Sequence, residues 1–277
     1  MKEEIKKVRI DFDQLASTLF AGKKIPRLLM RILKKIAHED GLNELFDSAP
    51  GKKNMDFVDA CMDFYRIECR VKGIENLPAD AKPLIFASNH PLGALDAISI
   101  LHSIGHRYDG KIKFYANEIL NHVEPLKEMV LPVSKYSYQG RNNVRKVQEF
   151  FRSSEHLLIF PAGATSRKYG DKIIDLEWQK NFIQKSVHYN RDVVPLYFQA
   201  RNSTFFYFLE KIREKMNSRI NFEMLFLVDE IFKQKGNTFT LYIGQPVSWK
   251  TFDESKTLQE WATVVKEMSY MLPEITN

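Results

Sequence analysis

The chain has 277 residues, enough for one large domain or two small ones, and its 44% hydrophobic content with 20 phenylalanines supplies a sizeable core. A net charge of +6 points to an anionic partner: nucleic acid, anionic lipid or an acidic carrier protein. No run approaches the ~18–20 apolar residues of a membrane-spanning helix, and the charged opening MKEEIKKVRIDFDQ lacks a signal peptide's apolar segment, so a cytoplasmic protein is expected.

Residues 1–66 carry helical periodicity. Pro26 suits the first turn of a helix in PRLLMRILKKIAHEDGLNELF, and Gly41 suits a break between two helices. Within KKIPRLLMRILKKIA (23–37), Leu28, Leu29, Ile32, Leu33 and Ile36 recur at helical spacing beside Arg27, Arg31, Lys34 and Lys35. That pattern fits a basic amphipathic helix on an anionic membrane, and equally a helix packed on the domain. Cys61 and Cys69 lack a CxxC spacing and are expected to be reduced packing residues.

From residue 67 onward, strand-like runs alternate with helical stretches. The predicted strands are 83–88, 111–116, 131–135, 156–160, 193–198, 222–228 (FEMLFLV) and 239–244. Helices are predicted around NNVRKVQEFFRSS, LEWQKNFIQKSVHYN and the final LQEWATVVKEMSYML; NSTFFYFLEKIREKM carries aromatics that suit either lipid or core. The alternation predicts an α/β domain over 67–277, with a mixed, partly parallel central sheet flanked by helices and an N-terminal helical annex over 1–66. The close spacing of the last strands predicts an antiparallel edge.

Ligands of such sheets collect beyond the carboxyl ends of the strands. Two loops qualify. In SNHPLGALD, Asn89 and His90 follow a buried strand, and Asp96 lies near the start of a helix, with Pro91 and Gly93 allowing a tight turn between. Histidine suits general base work near neutrality, and a carboxylate on its far nitrogen fixes the tautomer and stabilises the imidazolium. Taken alone, the pair is equally a polar loop residue and a helix cap. The other histidines, His38, His102, His106, His122, His156 and His188, have no comparable setting. The second loop, FPAGATSR, ends a strand at Phe160, stops the ladder at Pro161 and permits close backbone approach at Gly163. Thr165, Ser166 and Arg167 then offer hydroxyls and a guanidinium for an anionic head group.

NHPLGALD, followed about 70 residues later by FPAGATSR and then by VVPLYF, resembles the glycerolipid acyltransferase family of lysophosphatidic acid and glycerol-3-phosphate acyltransferases. The resemblance covers roughly residues 67–250 and is strongest to a bacterial branch of hemolysin-like proteins and lyso-aminolipid O-acyltransferases. It implies that His90 and Asp96 are the catalytic pair. It also implies that Phe160, Pro161, Gly163 and Ser166 form the third family block, and Val194 and Pro195 the fourth.

The departures from the family pattern bear on substrate. Five residues separate His90 from Asp96, where the main family has four; Ala162 replaces a glutamate, and Thr165 stands where the family has an arginine associated with the acceptor's phosphate. A carboxylate-bearing acceptor, such as a monoacylated amino acid, therefore becomes the better expectation. The second family block is poorly matched by LPVSKYSYQGRNN, from which Lys135 and Arg141 are candidate acceptor contacts, with Asn89 a further substrate-binding candidate.

The function this implies is an O-acyltransferase moving a fatty acyl group from an acyl carrier protein or coenzyme A thioester to a lysolipid hydroxyl. It would work peripherally at the inner face of the cytoplasmic membrane. The thioester activates its own carbonyl, so neither metal nor cofactor is expected. No Gly-x-Ser-x-Gly elbow supplies a serine nucleophile, which suits direct attack. The alternatives are a lysophosphatidic acid acyltransferase and a non-catalytic, hemolysin-like lipid-binding protein. Nucleic acid is disfavoured as a partner, because the basic residues are dispersed and no finger, ribonucleoprotein or helix-turn-helix pattern occurs.

Overall fold

The computed structural model describes residues 26–79, 82–117, 123–133, 141–216 and 223–276. Three helices come first: α1 (Arg27–Ile36), α2 (Glu39–Ser48) and α3 (Asn54–Tyr65). The strands are β1 (Glu68–Lys72), β2 (Ile85–Ser88), β3 (Ile112–Asn117), β4 (Val130–Val133), β5 (His156–Ile159), β6 (Arg167–Tyr169), β7 (Lys172–Ile174), β8 (Val193–Gln199) and β9 (Thr238–Ile243). Between and after them lie α4 (Ala94–Arg107), α5 (Arg141–Arg152), α6 (Asn181–Tyr189), α7 (Thr204–Lys215), α8 (Glu223–Lys233) and α9 (Leu258–Ile275).

Seven strands form one sheet in the order β1-β9-β8-β2-β5-β3-β4. All pairings are parallel except β8 with β9. The antiparallel pairing therefore lies inside the sheet, not at the expected edge, because β1 adds in parallel outside β9. β6 and β7 make a separate antiparallel hairpin that the sequence pattern did not suggest.

Residue alternation on the central strands divides the core in two. Phe86 of β2 and Leu158 of β5 face one cluster, shared with Phe57, Val58 and Cys61 of α3 and with Ile100, Leu101 and Ile104 of α4. Ile85, Ala87 and Leu157 face the other, which is filled by Phe182 and Ile183 of α6, Trp261 and Val265 of α9, and Trp178. Each such large apolar side chain contributes about 1.5–3 kcal/mol on burial. The α2 and α3 helices thus share their core with the sheet through Leu45, Phe46 and Phe57. Cys61 is a buried free thiol whose pKa burial pushes up to about 12, in keeping with a packing role.

Of the segment FEMLFLV, expected as a strand, the described residues 223–228 are helical. They open α8, and their apolar run continues into DEIFK, where Ile231 and Phe232 pack against the core. A continuous apolar run of this length does not separate a buried strand from a buried helix; tertiary packing on α1 and α7 decides. Among the described residues, no helix is long and apolar enough to cross a membrane.

Candidate active site

The central strand β2 lies between β5 and β8, so the loops that follow these three strands meet at one rim of the sheet. His90 lies two residues beyond β2. Gly93 then takes φ +88°, a conformation glycine adopts without a side-chain clash, and the chain turns directly into α4. This turn brings Asp96 back toward His90. Asp96 becomes the third residue of the helix, and side chains there point back toward the helix N-terminus.

The Asp96 carboxylate is wholly buried and held by the backbone. Oδ2 accepts from Leu92 N at 2.9 Å and Gly93 N at 3.2 Å, and Oδ1 accepts from Ala97 N at 2.7 Å. The helix N-terminus adds a favourable field. His90 Nδ1 faces Asp96 Oδ1 at 3.1 Å, within reach although its N–H is not aimed straight at the oxygen. The His90 side chain keeps 19% of its surface exposed. Burial alone would lower its pKa, but the Asp96 charge and then the Asp175 charge outweigh that effect and raise it above the ordinary histidine value.

The loop after β5 forms the other wall. Phe160 stacks on the His90 ring, with centroids 4.0 Å apart, and Ser166 N donates to the His90 carbonyl at 2.8 Å. Below them Asp175, 3% exposed, gathers three donors: Ser166 Oγ at 2.5 Å, Trp178 Nε1 at 2.8 Å and the His90 backbone N at 3.2 Å. Burial raises the Asp175 pKa against the opposing effect of those donations. Asp175 N in turn donates to Tyr270 Oη at 2.8 Å, anchoring the platform to α9. The His90 ring thus lies between the Asp96 carboxylate and the Phe160 ring and stays partly exposed.

Residues 14–276 match the family described as Acyltransferase. A protein named lyso-glycine lipid O-acyltransferase from Phocaeicola vulgatus is 41% identical over 266 residues, covering 95% of each chain. Its namesake from Bacteroides thetaiotaomicron is 40% identical, covering 95% of this chain and 97% of its own. The chain belongs to the acyltransferase family. The crystal structure of the 1-acyl-sn-glycerophosphate (LPA) acyltransferase PlsC from Thermotoga maritima aligns at 18% identity over 95% of this chain and 89% of that one, with a TM-score of 0.49.

Within this acyltransferase the expected site residues separate into two groups. His90, Asp96 and the 160–167 loop meet at the rim. The residues expected to bind substrate make the following contacts within the protein. Asn89 is 3% exposed and spends its amide on β8, donating to Phe198 O at 3.0 Å and accepting from Phe198 N at 2.6 Å. Ser166 serves Asp175, and the buried Pro161 accepts from Gln179 N through its carbonyl. Gly163, with φ +65°, closes a turn by donating to Phe160 O at 3.0 Å. Arg167 pairs with the buried carboxylate of Glu210 on α7 and donates to Thr165 O at 3.1 Å. Its charge is thereby neutralised inside the protein. Lys135 lies outside the described residues, and Arg141 is the first residue of α5.

Beside this platform lies a cavity of about 360 Å³, lined by Lys168, Asp171, Arg201, Asn202, Ser203 and Tyr207 among others. Asn202 joins it to the His90 turn, donating Nδ2 to Pro91 O at 2.9 Å, while its buried Oδ1 has no partner among the described residues. No carboxylate lies within ion-pair distance of Lys168 or Arg201 among the described residues. Sequence reasoning missed this cavity and Asp175, because no spacing rule links DLEW to His90. Only the β6–β7 hairpin and the loop after β8 bring them there.

Proposed function

We propose that this acyltransferase transfers a fatty acyl group from a thioester to a hydroxyl of a lysolipid whose head group carries one carboxylate, a glycine lipid in the first instance. The observation that carries the reading is the His90–Asp96 pair at the sheet rim, with Nδ1 facing the carboxylate at 3.1 Å and the His90 side chain 19% exposed. His90 Nε2 accepts the hydroxyl proton as that oxygen attacks the thioester carbonyl. The C–S bond then breaks, and the imidazolium returns the proton to the departing thiolate. Asp96 stabilises the imidazolium between those steps. Base catalysis of this kind contributes about 10²–10⁴ in rate. Either acyl carrier protein or coenzyme A supplies the thioester.

The acceptor's class follows from charge. Arg167 is occupied by Glu210, so the cations left to a head group are Lys168 and Arg201, opposed by Asp171 in the same cavity. A local balance of about one positive charge suits a single carboxylate better than a phosphomonoester, and the names of the two relatives agree. The cytoplasmic face of the membrane is the proposed working place. Leu28, Leu29 and Ile32 of α1 remain 72%, 44% and 49% exposed, with Arg27 and Arg31 beside them. Phe205 and Phe208 of α7 are also exposed, and both helices pack on α8. Apolar residues flanked by cations suit an anionic lipid surface.

The test is acyl transfer by purified protein, offering lysolipids with a carboxylate or a phosphate head. His90→Ala should abolish turnover of the carboxylate acceptor with the fold retained. Arg201→Ala should raise KM for it about tenfold with kcat kept, as expected for an exposed charge-assisted contact. Preference for the phosphate acceptor would reject the head-group assignment, and turnover surviving His90→Ala would reject the mechanism.

A further inference from the structure

We infer that Asp59, His102 and His106 form a binding site for a divalent transition metal of the zinc class, clipping α3 to α4 outside the catalytic centre. His102 and His106 are four residues apart on α4, so their rings lie one above the other on a single helix face. The same spacing on a helix supplies the paired imidazoles of known zinc sites. Asp59 faces them from α3. Its Oδ1 lies 2.8 Å from His106 Nε2 and 3.7 Å from His102 Nε2, and all three candidate ligand atoms fall within 4.8 Å of one another. A zinc ion held at about 2.0–2.2 Å from each ligand in a tetrahedral arrangement needs them roughly 3.3–3.6 Å apart. The observed separations bracket that value, and side-chain rotation closes the difference.

Two further features agree. The two rings stand edge to face, with centroids 4.9 Å apart at 81°, so they do not stack flat on one another. The side chains are 36%, 38% and 53% exposed for Asp59, His102 and His106, which leaves an entry path and room for water to complete the shell. Two imidazoles and a carboxylate without a thiolate favour zinc, nickel or copper(II) over copper(I), magnesium or calcium.

The location sets the role. Asp96 and His102 are six residues apart on one helix, which is about 9 Å along its axis. The metal therefore lies away from the reacting atoms. It would fix the far half of α4, whose first turn carries Asp96, against α3.

The test is isothermal titration of zinc chloride into the untagged, chelator-treated full-length protein at pH 7.5, paired with thermal melting. One equivalent should bind, and the melting temperature should rise by roughly 2–4 °C at saturating zinc. His102→Ala and His106→Ala should each weaken binding at least about tenfold and remove the thermal shift. His90→Ala should bind as the wild type does. Asp59→Asn, which keeps the side chain's shape, gives the same reading if a histidine variant fails to fold. Absence of saturable binding, binding unchanged in the cluster variants, or binding lost in His90→Ala would each overturn the site.

Discussion

Replacing Asp96 with Asn removes a buried charge while keeping the side chain's volume, and the structure sets the size of the effect. At 3.1 Å and an effective dielectric near 20, the attraction between the carboxylate and a protonated His90 is about 5 kcal/mol. That figure bounds the help Asp96 gives the imidazolium formed during acyl transfer. Part of it is offset by the burial that acts against protonation. A loss of about 10²–10⁴ in kcat is therefore expected. The substitution also has a structural cost. The carboxylate accepts from Leu92 N, Gly93 N and Ala97 N, and an amide must turn its own donors toward one of these or toward His90. One mismatched buried donor costs about 1–3 kcal/mol, so a denaturant titration has to accompany the kinetics. The pH profile separates the two effects. His90 must be neutral to accept a proton, and its pKa is raised in the native protein. Activity in the wild type should thus fall on acidification along a limb lying above the ordinary histidine value of about 6.5. In Asp96→Asn that limb should move to lower pH, because the largest effect favouring the charged ring is gone. The assay is thiol release from an acyl thioester with a lysolipid acceptor, run from pH 5 to 9. Near-normal kcat in a folded Asp96→Asn protein, or a limb that stays in place, would refute the base assignment.

Two further outcomes follow from the same contacts. Arg167→Ala strands the carboxylate of Glu210, which is 2% exposed, and should lower stability by about 3–5 kcal/mol in urea denaturation; pairing Arg167→Met with Glu210→Gln should recover much of the loss. A stable Arg167→Ala protein with a raised acceptor KM would instead return Arg167 to the head-group site. On the membrane side, Leu29→Glu combined with Ile32→Glu removes two exposed apolar anchors from α1 and should weaken sedimentation with anionic vesicles by roughly 10- to 100-fold. Equal binding by the folded double variant would exclude that face.

What the sequence revealed follows the range of each interaction. The strands around β2 and β5 were legible because both are buried on two faces, which writes an uninterrupted apolar run between turn residues. His90 and Asp96 were legible because their link is local: one glycine with positive φ and one helix start decide it. FEMLFLV was misread because an apolar run looks alike in a buried helix and a buried strand. Asp175 reaches His90 only after the chain has passed through the β6–β7 hairpin, and Asp59 meets His102 only when α3 packs on α4. Neither partnership leaves a mark at short spacing.

The FPAGATSR loop shows why matching a motif differs from assigning its chemistry. Thr165 occupies the position where the main family carries a phosphate-associated arginine, and the next cation, Arg167, is the nearest replacement by sequence distance alone. The fold opposes that use, because α7 presents Glu210 to it, and an anionic head group would have to compete with a buried carboxylate already paired with the guanidinium. The positive charge left for a substrate shifts one residue along, to Lys168, and across to Arg201 in the loop after β8. In the proposed reading, a lysolipid head bound there would stand beside the His90 turn, because Asn202 donates to Pro91 O, and acceptor choice and catalysis would rest on different loops of one rim.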